Sequence, residues 1–237
     1  MKQGHAPHRP PRVGVLRLDT RFPRPLGDMG QAQTYTRMGL DVQVITVPRA
    51  SARRVIELAD ASLLQPFLEA ARQLDAAGAD LITTSCGFLA RYQAELQAAV
   101  RAPVLSSALL WCQRLANPGI VTFDARHLGQ AECQGAGVPA STPIVGLPEG
   151  ELRQVILQDL GQLDTQKAQA EAVQAACTLV SQHPEVQHIV LECTNLPPYR
   201  QAIAVATQRT VHDLETLVQA HFGVHPEPPA GQRPDLN

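Results

Sequence analysis

Short apolar or β-branched runs recur along the chain and alternate with stretches whose apolar residues return every three to four positions. VGVLRL, DVQVITV, DLITTS, PVLSS, GIVTF, TPIVGL and HIVLEC read as strands. SLLQPFLEAARQLDAAG, FLARYQAELQAAV, ALLWCQRLA, a segment of about 150 to 182 and a last one near TVHDLETLVQAHF read as helices. Strands interleaved with helices of this length predict an α/β fold of parallel sheets joined by right-handed crossovers. Sheets of that kind place ligands beyond the carboxyl ends of their strands.

The pattern also repeats. GVLRLDTR, from Gly14, and GIVTFDAR, from Gly119, match in their glycine, aspartate and arginine positions. LITTSCGFLARYQAEL and HIVLECTNLPPYRQAIA both run from an apolar strand through a cysteine to a helical stretch, with Tyr92 and Tyr199 each six residues after Cys86 and Cys193. Gly14 to Cys86 spans 72 residues and Gly119 to Cys193 spans 74. That period is too long for a solenoid, so the chain reads as two pseudo-symmetric lobes, each a small parallel sheet flanked by helices, with a site in the cleft between them. The expected division is 13–103 plus 208–224 for the first lobe and 104–207 for the second, with flexible Pro-rich tails at 1–12 and 225–237.

At 237 residues with 44% hydrophobic content, the chain has enough apolar mass for a core, and its net charge of −2 argues against nucleic acid as a partner. No apolar run is long enough to span a bilayer, and MKQGHAPHRPPR has no apolar centre of a secretory signal, so a cytoplasmic protein without membrane association is expected. The five cysteines form no CxxC pair, which favours reduced thiols. Lys2 and Lys167 are the only lysines against eighteen arginines, so Schiff-base chemistry lacks a positioned amine. The histidines show no HxxxH or HExxH spacing, so no metal or other cofactor is expected.

A thiol acts as nucleophile or base only as thiolate, and free N–H groups at a helix start favour that form. Cys86 and Cys193 both sit at such strand-to-helix turns. Two thiols aimed at one carbon from opposite sides are what stereoinversion needs, one removing a proton and the other returning one. Ser85, Gly87, Phe88, Thr194, Asn195 and Thr122 surround this pair in the sequence reading as substrate contacts, and Arg21 is a candidate carboxylate ligand. Asp19 and Asp124 read mainly as turn caps, and Glu192 should point away from Cys193 by strand alternation. The Gly- and Pro-rich segment TRFPRPLGDMGQAQTY is expected to cover the site.

ITTSCGF, ECTNLP and GDMGQAQT resemble motifs of the aspartate/glutamate racemase superfamily, which includes hydantoin racemases, maleate isomerases and arylmalonate decarboxylases. The resemblance covers nearly the whole folded body. It implies a PLP-independent enzyme in which Cys86 and Cys193 are the acid/base pair and Thr194 helps hold a substrate carboxylate, often as a homodimer. Gly87–Phe88 stands where an Asn-Thr pair is usual, and Asn195 where His or Glu is common. The expected activity is racemisation or epimerisation of an amino acid or its derivative. The alternatives are a one-cysteine isomerase or decarboxylase of the same superfamily, and a non-catalytic binder of a small molecule.

Overall fold

The protein is described from a computed structural model covering residues 9–224. Two four-stranded parallel sheets form its framework. The first contains β1 (Arg12–Leu18), β2 (Asp41–Val47), β3 (Leu81–Thr84) and β4 (Val104–Leu105) in the order β2-β1-β3-β4. The second contains β5 (Pro118–Thr122), β6 (Ile144–Gly146), β7 (His188–Leu191) and β8 (Thr210–His212) in the order β6-β5-β7-β8. The identical order confirms the duplication seen in the sequence, and in both sheets the strand order switches between the first and third strands of the half.

The helices of the first half are α1 (Ala32–Thr36), α2 (Ala52–Ile56), α3 (Leu64–Ala76) and α4 (Gln93–Ala99). Those that follow are α5 (Gln130–Gly135), α6 (Glu151–Gln158), α7 (Thr165–Gln182), α8 (Arg200–Thr207) and α9 (Leu214–Phe222). The repeated glycine of each half has one physical purpose. A Cβ on Gly14 would lie 3.0 Å from Leu74, and one on Gly119 would lie 2.9 Å from Val186 and 3.0 Å from Leu179. Both glycines therefore let a crossover segment press directly onto the first strand of its sheet. Helices cover these strands, so β1, β3, β5 and β7 are apolar and buried almost throughout. Phe67, Leu74 and Leu179 are fully enclosed under the crossovers, each contributing about 1.5–3 kcal/mol by the transfer scale.

Several sequence expectations change at element ends. β4 begins at Val104 and pairs with β3, which moves it from the expected second lobe into the first sheet. β8 pairs with β7, so Thr210–His212 extends the second sheet instead of returning to the first. Its register beside His188–Val190 decides this, and a three-residue strand carries no periodicity of its own. The segment expected as a helix near TVHDLETLVQAHF thus opens as a strand, and α9 begins only after Asp213, which caps it by accepting from the Thr216 N–H. The helical segment of about 150 to 182 is two helices, because Asp159 adopts a left-handed conformation at the end of α6 and Asp164 caps a new start at α7. FLARYQAELQAAV divides into a 3-10 helix, Gly87–Tyr92, and α4. Of the expected tails, residues 1–8 and 225–237 lie outside the described residues, whereas Arg12 already pairs with Asp41 in β1.

The two halves meet closely beside the first cysteine motif. A Cβ on Gly135 of α5 would overlap the Ala90 carbonyl oxygen of the 3-10 helix. Buried Glu132 on α5 pairs with Arg91 across the same seam. Such a pair adds little net stability once desolvation is counted, but breaking it would strand a buried charge, so it fixes the relative position of the halves.

Candidate active site

Cys86 follows β3, and Cys193 follows β7. The two thiols line one narrow cleft between the halves, at the carboxyl ends of the strands, where the topology predicts a ligand. Cys86 is 6% exposed and Cys193 5%, so each sulfur reaches the cleft and little else. Ser85, Gly87, Phe88, Thr194 and Asn195 line the same space, as the sequence suggests. So do Leu18, Phe22, Ala52, Ile56, Phe123, Ile156 and Glu192. Among the described residues, no lysine, arginine or histidine lines it.

Two expected contacts lie elsewhere. The Arg21 side chain is exposed, and what its residue contributes is a backbone N–H donated to Asp159 Oδ1 at 2.6 Å. A residue at the far end of an exposed turn cannot be aimed from motif similarity alone. Thr122 is buried behind the cleft, where its hydroxyl donates to Glu192 Oε2 at 2.7 Å. Thr194 does line the cleft, yet its hydroxyl proton is already committed to the Ser85 carbonyl at 2.7 Å. In this state Thr194 ties the two cysteine motifs together and has no proton left for a carboxylate. Ser85 uses its hydroxyl oxygen to accept from the Leu18 N–H at 3.0 Å.

The segment after β1 covers the cleft as expected. Met29 N–H donates to the Thr194 carbonyl at 3.1 Å, and Phe22 enters the lining. Gly27 has a φ of +108° and abuts the Pro198 backbone, so a side chain there would be both strained and obstructed. Asp28 anchors the segment by accepting from Arg24 and the Gly30 N–H, both at 2.7 Å, and from Asn195 Nδ2. Asn195 Oδ1 in turn accepts from Cys193 Sγ at 3.5 Å. The GDMG motif marked this segment, but not the buried Asp28–Arg24 pair, which depends on a four-residue return of the chain.

Asp19 accepts from the Arg49 N–H at 2.9 Å and lies outside the cleft lining. Asp124 gathers Arg126, His127 and Arg153 around its carboxylate. These bonds hold its pKa well below the ordinary value despite the opposing cost of burial. Both aspartates hold turns together.

The electrostatics of the cleft follow from the burial of its ionisable groups. Burial, reinforced by the Glu192 charge, pushes the Cys86 thiol up to about 12, and burial with the same neighbour raises Cys193 well above its ordinary value. A backbone N–H opposes the shift at each sulfur, from Phe88 at Cys86 and from Asn195 at Cys193. Each donor is the residue two positions on; at Cys86 it belongs to the helix start expected from sequence, whereas Asn195 lies in the turn that precedes the 3-10 helix Pro197–Tyr199. Burial also raises the Glu192 carboxyl to about 7, against the Thr122 hydrogen bond and a backbone bond from Phe123.

Glu192 was expected to face away from Cys193. β7 ends at Leu191, so the alternation of an extended strand no longer fixes the direction of Glu192, and its carboxyl is fully buried between the Thr122 hydroxyl and Gly87, the residue next to Cys86. Because its folded pKa exceeds the unfolded value of 4.5, the folded state binds the extra proton between about 4.5 and 7. Its contribution to stability is therefore full below that window and falls as pH rises through it. Glu192→Gln should flatten this part of the curve of unfolding free energy against pH; a slope as steep as in wild type would contradict the placement.

Among the described residues, no helix is long and apolar enough to cross a membrane, and no cluster of His, Cys, Asp and Glu is arranged to hold a metal. No protein-family model matches the chain. Dimethylsulfoniopropionate lyase 5 of Emiliania huxleyi (strain CCMP1516) is 29% identical over an alignment of 242 residues, covering 93% of this chain and 46% of the lyase. The chain thus spans about half the length of that relative. A glycine-to-cysteine mutant of arylmalonate decarboxylase superposes with a TM-score of 0.61 at 16% identity, covering 94% of this chain and 98% of that one. Allantoin racemase from Pseudomonas fluorescens superposes with a TM-score of 0.60 at 16% identity, with the same coverages of 94% and 98%. The duplicated sheets and the matching structures together show that this chain has the two-lobed fold of the aspartate/glutamate racemase superfamily.

Proposed function

We propose that the protein is an enzyme that removes the proton from a carbon next to a carboxylate, using the Cys86 and Cys193 thiols, and that it eliminates a sulfonium leaving group from the adjacent carbon. The observation that carries this reading is the pair of buried thiols at equivalent strand ends facing one largely apolar cleft. The lyase relative supports the choice of elimination, since its substrate has a carboxylate, an α-carbon and a sulfonium on the β-carbon.

The lining supports it too. A zwitterionic amino acid brings a strongly hydrated ammonium, and Phe22, Phe88, Phe123, Ile56 and Ile156 offer that group no acceptors. A dimethylsulfonium is a cation clothed in methyl groups, suited to aromatic faces. In the reaction a thiolate takes the α-proton, the electron pair of the C–H bond becomes the new C=C bond, and the C–S bond breaks with its electrons staying on sulfur. Dimethylsulfoniopropionate would yield dimethyl sulfide, acrylate and a proton.

Incubating the purified protein with dimethylsulfoniopropionate and measuring headspace dimethyl sulfide with acrylate in solution tests the reading. Both products should appear in equal amounts and depend on enzyme. Racemisation of an amino-acid derivative is the second reading, favoured by the presence of two thiols where an elimination needs one base. Deuterium incorporation at Cα with loss of optical purity, and no dimethyl sulfide, would decide for it.

A further inference from the structure

We propose that the Glu192 carboxylate accepts the proton of the Cys86 thiol, so that Cys86 and Glu192 form a proton-sharing pair that generates the thiolate inside the closed cleft. The proposal rests on the thiol chemistry above and adds a positioning residue that works through sulfur. Three features of the geometry point to it.

Glu192 is buried and fastened at one oxygen only. Oε2 receives the Thr122 hydroxyl at 2.7 Å, whereas no donor among the described residues reaches Oε1. A buried oxygen left without a donor is costly, and such atoms concentrate where a proton or ligand is handled. Gly87 then shows where that oxygen lies. A Cβ on Gly87 would overlap both Oε1 and the Glu192 carbonyl oxygen, so the carboxyl group of the second half rests against the residue next to Cys86. The third feature is a difference between the thiols. Cys193 Sγ has Asn195 Oδ1 as acceptor, whereas the Cys86 thiol rests without a side-chain acceptor among the described residues, so its proton is free for the unpartnered Glu192 oxygen once the two side chains turn toward each other.

Other charges around the carboxyl are spoken for. Glu132 on α5 is paired with Arg91, and Asp28 with Arg24. Cys133 is half-buried nearby, and burial raises its thiol pKa, with Glu132 and then Glu192 adding to the rise. Among the described residues, Glu192 is the one titrating group besides the two thiols in the lining.

The proton bookkeeping closes. Carboxylate and thiol exchange one proton to give carboxylic acid and thiolate, with no change in net charge, which is the form of charge separation a buried site tolerates best. The thiolate takes the substrate α-proton and is a thiol again. Glu192 then releases its proton to solvent as product leaves.

The test is the pH dependence of alkylation at Cys86 by iodoacetamide, followed by mass spectrometry from about pH 5.5 to pH 10 in wild type and Glu192→Gln. For a coupled pair, the thiolate tautomer gains population only until the carboxyl has titrated. The wild-type rate should rise to about pH 7 and level off. Glu192→Gln should climb through pH 9 without a plateau and exceed wild type there by about tenfold or more, as expected when a neighbouring negative charge is removed. Turnover should nevertheless fall ~10²–10⁴-fold, with partial recovery in Glu192→Asp. A purely structural Glu192 would lower both measures and leave the profile's shape unchanged.

Thr122→Val provides a second handle if the glutamine variant folds poorly. Losing the hydroxyl that favours the ionised carboxyl should move the plateau to higher pH. Superimposable profiles in wild type and Glu192→Gln, or an unmoved plateau in Thr122→Val, would overturn the inference while leaving essential thiols in place. Loss of the thiol reading itself would show differently, as full turnover in both cysteine variants.

Discussion

Cys86→Ala is expected to lower kcat/KM by ~10²–10⁴-fold, the range associated with a positioned acid or base, without unfolding the protein. The change removes one sulfur from a cleft wall, and the backbone at this position is extended, so alanine fits the conformation. Cys193→Ala separates the two functional readings. An enzyme that inverts a stereocentre needs a proton on each face and loses inversion equally with either change. An enzyme that eliminates needs one base, so its loss with Cys193→Ala should be clearly smaller than with Cys86→Ala. Rates for both variants, alongside thermal unfolding, check this. Full activity in both would sink the thiol chemistry. A dead Cys193→Ala beside a normal Cys86→Ala would reassign the base to the second half and retain the thiol chemistry.

Gly87→Ala is expected to do more harm than any other single methyl group added in the cleft. Its Cβ would meet a backbone carbonyl and a buried carboxyl of the other half, neither of which can swing away as an exposed side chain would. Overpacking of this type costs ~1–3 kcal/mol or more. At ~2–4 °C per kcal/mol for a chain of this size, Tm should fall by roughly 2–12 °C. Relief of the overlap must part the halves or displace Glu192, so Cys86 alkylation should lose its plateau as well. Gly161→Ala is the matched control, because a Cβ there has nothing within 4 Å and its backbone is not left-handed. Equal melting points for the two variants would refute the close packing at Gly87.

Gly87 also explains a departure noted in the sequence. The motif resemblance sets Gly87–Phe88 where side-chain donors are usual, which reads there as an altered substrate. The structure gives a second reason, since the glycine makes room for a carboxyl arriving from the second half. Phe88 contributes twice, with a ring in the lining and an N–H donated to the Cys86 sulfur. The second contribution is independent of its side chain, so no motif could display it.

The sequence by itself determined the parallel α/β character, the duplication and the placement of both thiols at strand ends. These follow from local rules: apolar runs mark buried strands, and repeated spacing marks equivalent halves. Ser85, Gly87, Phe88, Thr194 and Asn195 were legible because each is within two residues of a cysteine whose position was already set. What joined residues far apart in the sequence was decided only by the tertiary structure. β4 and β8 are too short to carry a pattern and take their identity from β3 and β7. The commitment of Thr194 to Ser85, the anchoring of Asn195 by Asp28 and the bond from Thr122 to Glu192 join residues 109, 167 and 70 positions from their partners. Local periodicity fixes which residues can lie at a strand end, whereas hydrogen-bond partners in a buried cleft depend on how two separately legible halves are pressed together.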